Sequence, residues 1–392
     1  MLKKIIKEIT AKFGIEISRT DRRIISLKPD KKCLGNVLLS YIIEPFLLKK
    51  DEPLSNSHTN YWESLQIAKT FLGLGYCVDV ISYSNKTFVP KKDYSFFISS
   101  RTNFQRIAPL LNKDCVKIVH LDTAHWLFNS FAEYQRCLDL QKRKGMTLAS
   151  FRSVDPNWAI EYADSATILG NSFTISTYHY AQKPIFRIPV PTCTVYPFPE
   201  NKNYENCRNR FLWLGNRGLV HKGLDLVLEA FAEMPAYHLT VCGPIQKEKD
   251  FENVFYEELY QTPNIHTVGW VDVDSPKFLE IANKCVGLIY PSCSEGQSGA
   301  VVTCLQAGLI PIISYESGVD VHDFGIILKD CSIEEIKRSV QMVSNLSVEE
   351  LKRMARNTWE YARANHTREK YAEEYRETVE KIISNFSTKV RK

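Results

Sequence analysis

Residues 291–311 read PSCSEGQSGAVVTCLQAGLIP. They follow an apolar run, CVGLIY, that has the composition of a buried strand. They then pass through small residues (Ser292, Ser294, Gly296, Ser298, Gly299) into helical apolar spacing at Ala300, Val301, Cys304 and Leu305. The pattern predicts strand, tight loop and helix N-terminus. Such a loop lets backbone N–H groups approach a ligand closely, and the helix start adds partial positive charge. One acid, Glu295, sits in it. Alone, the stretch fits an ordinary strand-to-helix turn equally well. What separates the two readings lies about seventy residues upstream.

Around it the chain alternates cleanly. Arg210–Leu214 reads as a strand, Gly223–Met234 as an amphipathic helix and Tyr237–Cys242 as the next strand, ending at Gly243. Ile265–Val268 is a short strand closed by Gly269 and Trp270, Pro276–Asn283 a helix, and Val286–Tyr290 and Ile312–Tyr315 strands on either side of the quoted stretch. Alternation of this kind predicts an α/β domain with a doubly wound parallel sheet. Residues 211–223, FLWLGNRGLVHKG, leave the first of these strands through Gly215 and carry Arg217 and Lys222 five positions apart, with Gly223 behind them. Lone basic residues are usually solvated. A pair placed at a strand end opposite a Gly-rich loop suits phosphate, Arg as a planar fork and Lys as a mobile charge.

Together these residues resemble the retaining glycosyltransferases of family 4. That family has a strand, a Gly, then Arg and Lys five apart, and later Pro-Ser, two residues, Glu-Gly and a helix ending in Ala-Gly and Pro. The resemblance covers about residues 209–345 well and the first part of the chain only in its order of elements. It implies a GT-B fold: two Rossmann-like domains facing a cleft, with a final helix crossing back, for which 367–386 is the candidate. It also implies a nucleotide-diphosphate sugar as donor, with Glu295 orienting the sugar. Arg217, Lys222, Gly296, Gln297, Ser298, Gly299, Gly215, Gly243 and Trp270 would bind the rest. Where the family carries a second Glu for the ribose, this chain has Thr303, whose hydroxyl lacks the strength of a carboxylate. The implied reaction is front-face transfer with retention, needing neither metal nor cofactor, to a polysaccharide, glycolipid or other glycan acceptor. A non-catalytic nucleotide-sugar-binding or scaffold subunit is the competing reading, with Thr303 as a mark of decay.

The first domain is expected over 33–190. Gly35–Ile42, Tyr76–Ser82, Asp93–Ser99 and Val116–Leu121 read as strands, with a helix at Thr59–Leu74 and a long polar loop, 47–58, before it. Residues 157–168 and the NSFTISTY after them read as helix, strand, helix. HLDTAHW (120–126) places His120, Asp122, His125 and Trp126 at a strand's C-terminal end, where open α/β sheets bind ligands. The spacing is a poor one for a metal. Under the resemblance His120 or His125 stands near the acceptor and the reacting carbon, His125 being preferred for its neighbour Trp126. Pro189, Pro191, Pro197 and Pro199 break regular structure, which suits a linker over 191–208. The second domain then spans 209–346, and helices 347–392 return to the first.

Composition supports a globular protein: 392 residues, 44% hydrophobic and 24% charged. Eleven cysteines show no paired spacing, so no disulfide framework or zinc site is expected, and a reducing cytoplasm fits best. Residues 1–32 hold ten Lys/Arg against four acids, so the total of +5 leaves the other 360 residues at −1. This basic arm places Leu2, Ile5, Ile6, Ile9 and Phe13 on one helical face, the pattern of a helix lying on an anionic membrane surface. The same pattern fits a helix docked on the protein's own body. No aromatic–basic platform accompanies the arm, which argues against nucleic acid.

Overall fold

The computed structural model describes residues 21–49, 52–56 and 58–389, the last three of them by backbone alone. The membrane-surface expectation for residues 2–13 therefore lies outside the described residues. Two parallel sheets build the molecule. The first contains β1 (Ile24–Leu27), β2 (Asn36–Tyr41), β3 (Cys77–Ser82), β4 (Phe96–Ser99), β5 (Val116–Leu121), β6 (Ser165–Leu169) and β7 (Ile185–Ile188) in the order β1-β3-β2-β4-β5-β6-β7. The second contains β8 (Arg210–Leu214), β9 (His238–Cys242), β10 (Ile265–Gly269), β11 (Gly287–Tyr290), β12 (Ile310–Ser314) and β13 (Ile326–Leu328) in the order β10-β9-β8-β11-β12-β13. Every pairing is parallel except β1 with β3. The runs that form central strands, such as FFIS and GLIY, are buried throughout, as a sheet covered on both faces requires.

The helices that bear on the site are α1 (Asn60–Gly73), α2 (Trp126–Lys144), α3 (Leu224–Ala232), α4 (Gly299–Gln306), α5 (Val348–Asn365) and α6 (Arg368–Lys389). The last helix does cross back: the Tyr371 ring packs edge-on against Trp62 of α1 at 5.5 Å, and Tyr371, Tyr375 and Val379 are fully buried. One hydrophobic cluster runs through both domains, joining Tyr41, Leu169 and Ile188 of the first to Leu214, Tyr290 and Leu305 of the second and to Tyr371. Each large side chain buried there contributes roughly 1.5–3 kcal/mol.

Some expectations need correction. Ile24–Leu27, which falls inside the basic arm expected over 1–32, is an edge strand whose alternating burial marks one solvated face. The helix expected to open the passage beginning at 157–168 is a run of turns leading into β6. Within the stretch expected as the linker, 191–208, Tyr196 and Phe198 are buried and Tyr204–Cys207 forms a short helix. Cys33 and Cys77, 44 residues apart, form a disulfide where the sheet edge brings their Cα atoms to 5.8 Å. No sequence spacing announces this pair, because a parallel crossover creates the proximity. The other nine cysteines are free, and seven of those are buried.

Candidate donor site

In the second sheet the strand order reverses between neighbours β8 and β11, so the loops leaving their C-terminal ends diverge and open a crevice. Those loops are 215–223 and 291–298, the two sequence motifs. Gly215 is required because a Cβ would stand 2.4 Å from the Trp213 ring, and Gly243 faces the Gly215 carbonyl at 2.9 Å by the same measure. The first loop is then held by Glu248, buried, whose carboxylate accepts the N–H groups of Gly218 and Leu219 at 2.5 and 3.1 Å. At its far end Gly223, in the left-handed region, turns the chain into α3 and points Lys222 inward, only 6% exposed.

Lys222 Nζ makes an ion pair with Glu295, itself 7% exposed. The Tyr290 hydroxyl donates to the same Glu295 oxygen at 3.0 Å. Burial alone would raise the Glu295 pKa. The charge of Lys222, followed by that of Arg152, overcomes burial and brings the pKa down to about 2. His221 stands between: one ring nitrogen pairs with the Ser294 carbonyl, and the other lies 3.6 Å from Cys293 Sγ and 4.0 Å from Glu133. Burial pushes its pKa down to about 3, so it stays neutral beside the two cations. Arg217 is exposed, lies over the Phe151 ring at 5.1 Å and makes no ion pair among the described residues.

The second loop is clasped from both sides. A Cβ on Gly296 would stand 2.4 Å from the Asp122 carbonyl and 2.9 Å from that of Leu169, both at strand ends of the first domain. From the other side, Gly318, with φ of +75°, brings its backbone against the Gly296 carbonyl. Ser298 precedes α4 without a side-chain cap, whereas Asn171, Ser275, Ser332 and Ser347 each cap the helix they precede. The first N–H groups of α4 are left to other acceptors.

Not every expected residue joins this cluster. Gln297 spends its carbonyl oxygen on the Val190 N–H at 2.7 Å, and Thr303 donates its hydroxyl to the Gly299 carbonyl at 2.8 Å. His120 is buried inside the first domain, with Nδ1 2.8 Å from Thr167 and Nε2 3.9 Å from Glu63. His125 caps α2 through its side chain, and its Nε2 meets the Tyr180 hydroxyl at 3.0 Å. Trp270, 54% exposed, lines a cavity of about 660 Å³ between the domains together with Asn216 and Lys247, facing Glu44, His58 and Tyr83 of the first. Arg152, Glu133 and Glu248 went unnoticed in sequence because the fold alone brings them to the motifs.

The two Rossmann-like domains, the cleft between them and the returning last helix define a GT-B fold. Residues 201–361, the second domain and most of α5, match the family described as glycosyl transferases group 1. A search of curated proteins returns no match. Among solved structures, sucrose-phosphate synthase from Thermosynechococcus elongatus superposes with a TM-score of 0.61 at 13% identity, covering 89% of this chain and 99% of that one. HepE from Anabaena, solved in complex with UDP and glucose, gives 0.58 at 11%, covering 88% and 100%. TarM from S. aureus gives 0.49 at 11%, covering 71% of this chain, which spans 54% of TarM. At these identities the likeness is one of fold.

Proposed function

We propose that the protein is a glycosyltransferase that moves a sugar from a nucleotide-diphosphate sugar to a polysaccharide, glycolipid or other glycan acceptor, with retention of anomeric configuration. The observation that carries this is the Lys222–Glu295 pair at the reversal point of the second sheet, in two loops of which the first also carries Arg217 and the second leads into the uncapped start of α4. A diphosphate brings two negative charges, and the leaving group gains charge as the glycosidic bond breaks. Arg217, Lys222 and loop N–H groups stabilise that charge without a metal. Glu295, held ionised, accepts from sugar hydroxyls. As the bond from the anomeric carbon to the phosphate oxygen breaks, the acceptor oxygen bonds that carbon from the same face. Its proton passes to the departing phosphate. The matched family of the second domain and the UDP and glucose bound by HepE support the donor class.

Incubation with UDP-, GDP-, ADP- and dTDP-sugars, followed by NMR of the product's anomeric proton, tests this. Glu295→Ala and Lys222→Ala should each abolish transfer with the fold intact. Full activity in both would refute the assignment, and turnover with inversion would refute retention. Absence of any turnover or hydrolysis would favour the scaffold reading. No helix among the described residues is long and apolar enough to cross a membrane. We place the protein in the cytoplasm, which the nine free cysteines favour and the single Cys33–Cys77 disulfide does not, with residues 2–13 holding it against an anionic membrane face. Equal binding to anionic vesicles by the full chain and by one lacking residues 1–20, a cut made ahead of β1, would remove that contact.

A further inference from the structure

From the last residue of α2 onward toward β6, the first domain sends out a strap that is fastened to the second. Lys144 Nζ meets Glu258 at 2.7 Å, the Ala149 N–H donates to Asp250 at 2.7 Å, and the Phe151 ring lies under Arg217. Glu133 holds the crossing point from behind: one oxygen accepts the N–H groups of Phe151 and Arg152 at 2.9 and 2.7 Å. Asn129 donates to the Arg152 carbonyl at 2.8 Å. With its backbone fixed, the Arg152 side chain runs along Gly218, where a Cβ would stand 2.2 Å from Arg152 Cγ. Its guanidinium ends 3.8 Å from Glu295, and its side chain is 42% exposed.

The charge balance shows what this is for. Glu295 already has Lys222, so Arg152 is not needed to neutralise it. The carboxylates of Glu133 and Glu248 are engaged by backbone N–H groups. Glu295, Glu133 and Glu248 match Arg152, Arg217 and Lys222 in number, but the three acids are buried while Arg152 and Arg217 reach solvent, so the positive ends are what an incoming ligand meets. A guanidinium has five N–H donors, and a 3.8 Å ion pair leaves most of them to other acceptors.

We propose that Arg152 is a donor-binding residue supplied by the first domain, gripping the donor's diphosphate beside Arg217 and Lys222. The proposal rests on the reading of this crevice as a diphosphate site. It makes diphosphate binding dependent on the loop that straps the domains together. Neither the match of the second domain nor any sequence motif includes this residue.

The test measures affinities of the full-length protein for UDP, GDP, ADP and dTDP by calorimetry, then for the nucleoside of whichever binds tightest. Arg152→Ala should weaken the diphosphate roughly tenfold or more, leave the nucleoside within about twofold, and flatten the dependence of diphosphate affinity on salt. Arg152→Lys should fall between, and decides the matter if the alanine variant fails to fold. Unchanged diphosphate affinity in the variants overturns the proposal. So does an equal loss for nucleoside and diphosphate, which would make Arg152 a structural strut. Should the wild-type chain bind none of the four diphosphates, the functional reading itself fails, an outcome distinct from either.

Discussion

Glu295→Gln isolates the electrostatics of the site from its shape. Glutamine keeps the volume and removes the charge, leaving Lys222 buried at 6% exposure with no anion beside it. Glu295 titrates at about 2 against an ordinary 4.5, a difference worth roughly 3.5 kcal/mol at about 1.4 kcal/mol per unit, an upper bound for the pair because burial lowers the Lys222 pKa even with Glu295 beside it. Removing one member of a buried pair costs about 3–5 kcal/mol in other proteins, which agrees. Because the folded-state value is depressed, this stability is fully present above about 4.5 and is lost as pH falls through the folded value near 2. Thermal melts of wild type and Glu295→Gln should therefore differ by several degrees at pH 7. The gap should hold down to pH 5, narrow below about 4.5 and be nearly gone by pH 2. Ligand-free protein is used, so that the measurement reads the ion pair alone. Equal melting temperatures at pH 7, or a gap that does not narrow in acid, would refute the reasoning and return Lys222 and Glu295 to solvent.

Further substitutions probe the clasp around the second loop and its neighbours. Gly318→Ala puts a Cβ 1.4 Å from the Gly296 carbonyl at a positive φ, so backbone must move. It should lower the melting temperature and weaken diphosphate binding together, and a silent result would mean the clasp is loose. Thr303→Val keeps the volume and removes a hydroxyl spent on the Gly299 carbonyl. Diphosphate affinity should stay within about threefold, whereas a drop of tenfold would restore Thr303 to the ribose. Tyr371→Ala empties a fully buried site where the last helix meets α1 and should cost about 3–5 kcal/mol in denaturant melts. Unchanged stability would show that the helix does not anchor the domains.

The second domain was legible because its strands are short apolar runs bounded by glycines, and its two motifs sit on consecutive strand–loop–helix units. Arg210–Leu214 and Pro276–Asn283 appear with the expected bounds. The first domain was harder for physical reasons. Ile24–Leu27 has a solvated face and charged neighbours, so it reads as part of a basic arm until β3 offers it a partner. The turns near 157–164 carry enough apolar residues to suggest a helix, and Ala159, Ile160 and Ala163 are indeed buried, but without helical hydrogen bonds. Within the site, local spacing revealed Arg217, Lys222 and Glu295. Arg152 could not be found that way, since its partners lie 66 to 143 residues further along the chain, at Gly218 and Glu295.

These long-range contacts bear on how the site works as a unit. Only glycine fits at 296 because the first domain presents two carbonyls, of Asp122 and Leu169, at a distance that leaves no room for a side chain. Arg152 reaches Glu295 only because Glu133 holds the strap in place. The Gly-rich loop that would receive the donor is thus shaped by the first domain as much as by its own, and the cluster shared across the seam gives that arrangement an apolar foundation. Opening the cleft would separate Arg152 from Glu295 and release the clasp on Gly296 in the same movement. Donor affinity and domain closure should therefore respond together to substitutions in the strap. Substitutions at Trp270 or Tyr83, on facing lips of the 660 Å³ cavity, touch neither the strap nor the clasp and should alter ligand contacts while leaving closure alone.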